Sequence, residues 1–206
     1  MAHENKNKMA GEFHSRHGSL IFLSNENHNA RRRNATTEFN NGLLFSKFAL
    51  KDSEIYEVRI DRKINNWSGS LAIGVTTSNP SFLEIPSSAS GLKNGSWIMS
   101  GVSVLKDGAS HKDNYGQDLD ELKEGDRVGV QRESNATLHF YVNGIDQGVA
   151  ATSLPSTVFA VIDLYGKCVE ISVYKPYLPA VGKNCFSRDG LLKLKLSHAI
   201  FKPFEQ

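Results

Sequence analysis

Apolar and polar residues alternate at every second position in several short stretches of this chain of 206 residues. In 54–61, Tyr56, Val58 and Ile60 share one face of an extended strand, with charged residues on the other face. This period of two is typical of a strand with one buried face. Further stretches of this kind are 70–77, 127–132, 137–143 and 169–173. The stretch 158–165 is apolar at nearly every position, which predicts a strand covered on both faces.

The connections between these stretches contain turn-forming residues. Asn143-Gly144 favours a type I′ hairpin turn, because the two central residues of that turn need a positive φ. The segments 133–136 and 166–167 suit short hairpin loops, and 119–124 suits one short helical turn. No long amphipathic helix is expected. Many short strands joined by tight turns predict an all-β fold, an antiparallel β-sandwich.

Three regions of different character follow one another along the chain. Residues 1–12 are polar and are expected to be a disordered lead, residues 13–174 form the sandwich, and residues 175–206 are a tail. In the tail, Leu192, Leu194 and Leu196 alternate with polar residues. This pattern predicts either a strand that covers a sheet edge or a linear motif that extends a partner's sheet.

The charge and the cysteines narrow the class of protein. The 24 basic and 22 acidic residues leave a formal net charge of +2, which argues against nucleic-acid binding. Cys168 and Cys185 form no CxxC pair, so a closed zinc site is not expected. No secretory signal or membrane-spanning stretch is visible, so we expect a cytoplasmic protein with reduced thiols.

The sequence contains no constellation that indicates catalysis. It lacks a Gly-x-Ser-x-Gly elbow and a glycine-rich phosphate loop. His14 and His17 are three residues apart, but no acidic or cysteine partner completes a metal-binding motif. We therefore expect no enzyme activity, no metal and no cofactor.

An ordered series of motifs points to a known family. In chain order these are Phe13–Gly18, Glu38–Gly42, Trp67–Ser70, Ser96-Trp97, Tyr115–Asp120, Gly125–Val130, Leu138–Gly144 and Val161–Cys168. Together they resemble a Neuralized homology repeat, and most closely the first repeat of a member that contains several. The resemblance covers about 13–173 and implies a SPRY-like sandwich, of the concanavalin type.

The same resemblance implies a function. Repeats of this family bind partner proteins in pathways linked to ubiquitin ligases. The implied partner is the cytoplasmic tail of a Notch ligand or a ubiquitin ligase component, and the implied location is cytoplasmic or centrosomal. Any ligase activity is expected to come from a partner or from another domain.

Candidate partner-binding residues are polar or aromatic side chains in predicted loops or at strand ends. They are Arg31, Arg32, Asn40, Asn41, Trp97, Tyr115 and Tyr165. The loops expected to carry binding are Asn40–Gly42, Glu84–Gly91 and His111–Tyr115.

Each candidate also has a structural interpretation. Trp67 and Trp97 suit core packing between sheets better than exposed anchoring, and Asn40 and Asn41 can satisfy their own turn. Tyr115 is the better candidate for an exposed anchor, because it lies in a polar loop. Arg31–Arg33 leaves an alternative function open, namely contact of a peripheral module with anionic lipid.

Overall fold

The computed structural model describes residues 11–174, and these residues form an antiparallel β-sandwich with almost no helix. Their strands are β1 (Ile21–Ser24), β2 (Asn29–Arg32), β3 (Leu43–Phe45), β4 (Tyr56–Lys63), β5 (Leu71–Thr76), β6 (Ser96–Ser100), β7 (Ser103–Lys106), β8 (Ala109–Lys112), β9 (Arg127–Arg132), β10 (Leu138–Val142), β11 (Ile145–Ala151), β12 (Phe159–Leu164) and β13 (Cys168–Val173). Two short 3₁₀ helices cover Ala89–Gly91 and Leu119–Glu121. The predicted lead at 1–12 lies outside the described residues except for 11–12, where Glu12 bonds Lys47, and the predicted tail at 175–206 lies wholly outside them.

The strands form two sheets in which every pair is antiparallel. One sheet has seven strands in the order β1-β2-β13-β4-β9-β10-β11, and the other has six in the order β3-β12-β5-β6-β7-β8. The all-β sandwich predicted from the alternating pattern is confirmed. No helix within residues 11–174 is long and apolar enough to cross a membrane.

The core between the sheets follows the period of two. In β4, Tyr56, Val58 and Ile60 are buried, whereas Arg59 is exposed. They pack in one cluster with residues of the other sheet, among them Ile73 and Ile162. Burying a side chain of this size stabilises the fold by about 1.5–3 kcal/mol, so the alternation largely determines which face of each strand turns inward.

The hairpin between β10 and β11 confirms the Asn143-Gly144 turn. Both residues have a positive φ, 52° and 82° respectively. Val142 pairs with Ile145 directly across this turn.

The outer face of the six-stranded sheet is also covered, which explains the continuous apolar run in β12. Ala72, Ile98 and Val161 project from this face and form a second apolar cluster. Segment 83–92 lies over them and contributes Ala89 and Leu92. Every residue of β12 is therefore buried, as predicted for a strand with two covered faces.

Tyr115 corrects the prediction of an exposed anchor. Its side chain is only 3% exposed and contacts Phe140 edge to face, with ring centroids 6.0 Å apart. The hydroxyl donates a hydrogen bond to the Gly148 carbonyl at 2.5 Å. The surrounding loop is polar, but a ring that can bury its apolar surface and still bond its hydroxyl is more stable in the core.

Replacement of Tyr115 therefore tests the packing directly. We expect Tyr115→Ala to lower the free energy of unfolding by about 3–5 kcal/mol, the loss typical of a buried aromatic side chain. His111→Ala, at an exposed position of β8, is the control and should change it by less than about 0.5 kcal/mol. Urea unfolding measures both, and equal effects would show that Tyr115 is not a core residue.

Candidate partner-binding pocket

A pocket opens on the outer face of the six-stranded sheet, beside segment 83–92. Its volume is about 230 Å³. The lining residues come from four strands, from two loops that stand above them and from the turn after β12: Phe39, Asn40, Ala72, Ser88, Ala89, Ser90, Ile98, Ser100, Leu105, Asp163 and Tyr165. Apolar walls with a few convergent polar groups are typical of a binding site.

Two aromatic rings, Phe39 and Tyr165, form one wall, and a third, Trp67, packs against Phe39. The Phe39 ring lies between Trp67 and Tyr165, with centroid distances of 5.4 Å and 5.6 Å. Trp67 is half-buried, and its indole N–H donates to the Ala35 carbonyl at 2.7 Å. The Tyr165 hydroxyl lies 3.1 Å from the Ser100 hydroxyl. Each ring is therefore held on two sides, which fixes the wall before any partner arrives.

Arg32 supports this wall from below. It is 1% exposed, because Arg31 and Arg32 alternate on β2 and Arg32 faces inward. Its guanidinium donates to the carbonyls of Glu38 and Gly166, the latter at 2.6 Å. These carbonyls adjoin the two pocket aromatics in sequence. Arg32 is thus not the exposed contact that the sequence suggested, since its side chain is buried and binds backbone carbonyls within the protein.

The two predicted loops 40–42 and 84–91 meet at the pocket rim. Asn41 adopts a left-handed φ of 63°, and its backbone N–H donates to the Ser87 carbonyl at 2.7 Å. Gly42 follows, and a Cβ there would collide with the Leu164 carbonyl. The positive φ of Asn41 suits a loop conformation, but its backbone N–H bonds a distant residue rather than its own turn, while Asn40 lines the pocket.

Asp163 supplies the pocket with a buried carboxylate. It is 2% exposed, and one oxygen, Oδ2, accepts the Ala89 backbone N–H at 2.7 Å. The other oxygen, Oδ1, is buried and accepts a hydrogen bond from no described residue. Burial raises the pKa of Asp163 to about 6, although the Ala89 N–H and the charge of Arg32 act in the opposite direction.

The remaining predicted site residues lie elsewhere. Trp97 faces the main core and is 6% exposed, which confirms its packing interpretation. Arg31 is exposed on the seven-stranded sheet, where its guanidinium lies 5.9 Å from the centre of the Phe22 ring. The segment 111–115 contributes nothing to the pocket lining. Of the seven candidates, Asn40 and Tyr165 line the pocket, and Asn41 and Arg32 hold it in shape.

Several lining residues were not among the candidates, and two of them, Asp163 and Phe39, matter most for the site. Asp163 is the one charged residue in the apolar stretch 158–165, and that exception was a usable signal. In the sequence, Phe39 is notable only because it precedes Asn40 and Asn41. Its position beside Tyr165 depends on packing between residues that are distant in the chain.

A second cavity of about 270 Å³ adjoins the start of β4 and the end of β13. Its lining includes Phe48, Leu50, Ile55 and Val173, and both ends of the described chain border it. No side chain with an unpaired buried polar atom lies among its lining residues. The pocket above Asp163 is therefore the better candidate for selective recognition.

Within residues 11–174, the side chains that could bind a metal ion or act as a nucleophile do not form a site for either chemistry. No three His, Cys, Asp or Glu side chains there form a group that could hold a metal ion. Cys168 is fully buried, and burial raises the pKa of its thiol to about 12. His14 lies 3.2 Å from the Ser81 hydroxyl, but its Nδ1 accepts the Arg16 N–H, so its Nε2 carries the proton in the neutral form and cannot act as the base.

Comparison with known proteins identifies the family to which this architecture belongs. A family model described as Neuralized matches residues 13–175. The chain belongs to the Neuralized family. It is 28% identical over 177 residues to "Protein neuralized" of Drosophila melanogaster, an alignment that covers 78% of this chain and 20% of that protein. The chain thus spans about one fifth of the length of this Neuralized relative.

Solved structures agree on the fold. The Neuralized NHR1 domain of Drosophila melanogaster superposes with a TM-score of 0.64 at 22% identity, covering 81% of this chain and 99% of that one. A human SPRY domain superposes with a TM-score of 0.57 at 15% identity, covering 80% and 97%. The SPRY-like sandwich expected from the sequence motifs is confirmed for this Neuralized chain.

The raised pKa of Asp163 predicts a pH-dependent stability. The ionised carboxylate destabilises the folded state above about pH 6, and this loss disappears as the pH falls towards the ordinary value of 3.8. Asp163→Asn keeps an oxygen for the Ala89 N–H and removes the charge. We expect it to raise the free energy of unfolding by up to about 3 kcal/mol at pH 7, since one pKa unit is worth about 1.4 kcal/mol.

Urea unfolding at pH 7 and pH 4.5 measures this effect. The gain should shrink clearly at the lower pH. A gain of equal size at both values would mean that Asp163 does not titrate as a buried carboxyl group.

Proposed function

We propose that this chain is a non-catalytic protein-interaction module that holds a segment of a partner protein in the pocket above Asp163. Membership of the Neuralized family and the likeness to SPRY domains support a binding role. The observation that carries the proposal is the pocket itself, whose two loops are held by hydrogen bonds of Arg32 and of the backbone and whose aromatic wall is held by ring contacts.

A fixed pocket suits recognition for an energetic reason. Ordering a flexible side chain on binding costs about 0.5–1.5 kcal/mol. Phe39 and Tyr165 are already positioned by ring contacts and by the backbone carbonyls that Arg32 binds. Little ordering remains when a partner binds, so aromatic contact area contributes to affinity with a small entropic loss.

An enzymatic function has less support. The most suggestive arrangement is on β10, where His139 Nδ1 lies 3.0 Å from the Asp146 carboxylate and Nε2 lies 3.1 Å from the Thr137 hydroxyl. That hydroxyl donates at 2.7 Å to Asn135, so its proton is directed away from the imidazole. None of these residues lines the pocket above Asp163 or the cavity near β13. We infer that His139, Asp146 and Thr137 form a structural hydrogen-bonded cluster rather than a catalytic site.

For the biological setting, we propose that the module acts as an adaptor or a substrate receptor in a ubiquitin ligase pathway in the cytoplasm or at centrosomes. Family membership supports this setting. The proposed partners are the cytoplasmic tail of a Notch ligand or a ubiquitin ligase component. Ubiquitin transfer itself would be carried out by the partner or by another domain.

Contact with anionic lipid is the weaker alternative. Of the three consecutive arginines, Arg32 is buried, so only Arg31 and Arg33 present charge to solvent. Each basic residue near an anionic surface contributes about 1 kcal/mol, and two such residues give little attraction. Phe22, 49% exposed beside Arg31, is the feature that favours this alternative.

A variant that fills the pocket tests the proposed function. Ser90 is an exposed lining residue, so Ser90→Trp should block the cavity without disturbing the core. We expect at least a tenfold weaker capture of a recombinant Notch-ligand tail or of partners from a cell extract. Ile145→Ala, at a 68% exposed position of β11 in the other sheet, is the matched control and should bind normally.

Equal capture by both variants and the parent chain would contradict the proposal. Matching urea midpoints for the three proteins would establish that any loss of binding is not a loss of folding.

A further inference from the structure

The free oxygen of Asp163 indicates what kind of group the pocket accepts. A carboxylate oxygen is an acceptor only, and Oδ1 has no donor among the described residues, although Asp163 lines the pocket and is 2% exposed. A buried polar atom without a partner carries a desolvation penalty of about 1–3 kcal/mol. Oδ1 is closed to solvent, so a bound group reaches it through a small shift of the pocket lining, and a hydrogen bond donated to Oδ1 would recover part of that loss.

The surrounding charges determine which donors are suitable. An anionic group would meet the Asp163 carboxylate in a poorly solvated site, where like charges repel strongly. A cationic group would meet a second obstacle, because the buried guanidinium of Arg32 already acts electrostatically on Asp163. The two buried groups form no ion pair, but together they carry no net charge, so a further charge of either sign would lose its hydration without a free counter-charge.

The other polar lining groups suit a neutral ligand. The hydroxyls of Ser88 and Ser90 lie 2.9 Å apart, and those of Ser100 and Tyr165 lie 3.1 Å apart. Hydroxyl groups can donate as well as accept, so they can satisfy the carbonyl or hydroxyl oxygen of a bound group. Phe39 and Leu105 provide apolar surface beside them.

We propose that Asp163 determines the specificity of this pocket, which takes a neutral side chain that donates a hydrogen bond and excludes an anionic one. This inference rests on the proposed function, since it names the partner group that the pocket holds. A consequence is that adding a phosphate or carboxylate to that partner group would abolish binding.

Three probes of nearly identical shape separate the possibilities. Benzamide is a neutral donor, benzoate is an anion and benzamidine is a cation at pH 7, and each is small relative to a pocket of about 230 Å³. Titrations of the full chain would be followed by the backbone amide signals of Ala89, Ser100 and Tyr165 in two-dimensional NMR. We expect saturable shifts with benzamide and an affinity for benzoate at least tenfold weaker.

Asp163→Asn provides the decisive comparison. The substituted amide can keep its oxygen on the Ala89 N–H and present its NH₂ group where Oδ1 lies, which turns an acceptor into a donor. We expect the variant to prefer benzoate over benzamide. If Asp163 served only to hold the Ala89–Gly91 turn, the order of affinities would not change, and that result would overturn the proposal.

The remaining outcomes test the inference and separate it from the proposed function. Binding of none of the three probes at these amides, or a tenfold preference for benzamidine, would overturn the inference. If partner capture is lost in Ser90→Trp while the probes show no preference, the ligand chemistry is wrong and the proposed function stands. If the preference is found but Ser90→Trp still captures partners, the pocket chemistry is right and the proposed function is wrong.

Discussion

The buried guanidinium of Arg32 connects the loop before β3 to the turn after β12, and the candidate pocket depends on that connection. It binds the carbonyls of Glu38 and Gly166, next to the aromatic residues Phe39 and Tyr165. Both carbonyls lie in connections outside the strands, where no neighbouring strand supplies a donor for them. A charged donor buried between them replaces that missing partner, and charge-assisted hydrogen bonds are about twice as strong as neutral ones.

The buried charges of Arg32 and Asp163 lower the stability of the fold, so a role in folding alone does not explain them. Arg32 and Asp163 are both nearly inaccessible to solvent, and each has one polar atom without a hydrogen-bond partner. Replacing buried charges by apolar residues of similar size often stabilises a protein. A destabilising pair at the base of an open pocket is therefore consistent with a role in binding rather than in folding.

Most of the fold could be predicted because it depends on local patterns. Alternation in 54–61 and the Asn143-Gly144 turn determine strand faces and hairpin geometry, and both operate over a few residues. The pocket was predicted in part: loops 40–42 and 84–91 and the residue Tyr165 do converge. Arg32 and Tyr115 were assigned to the surface, because polar neighbours in sequence do not reveal which way a side chain turns. That direction is set by packing partners such as Phe140, which is distant in the chain.

The position of the pocket agrees with the role of loops in this class of fold. The two sheets provide a rigid base, and segment 83–92 covers one of them except where the pocket opens. Variation in loops on a constant sandwich can change the bound partner without changing the core. The low identity to the superposed domains, together with the same sandwich, fits that principle.

Photo-crosslinking tests most directly whether a partner occupies this pocket. An amino acid with a small diazirine side chain, which fills far less of the pocket than Trp, would be placed at Ser90 on the pocket rim or, as the comparison, at Ile145 on β11 of the other sheet. Captured partner protein should be joined covalently to the chain labelled at position 90 and not to the chain labelled at position 145. Crosslinking at 145 with none at 90 would contradict the account and would move the binding surface to the seven-stranded sheet.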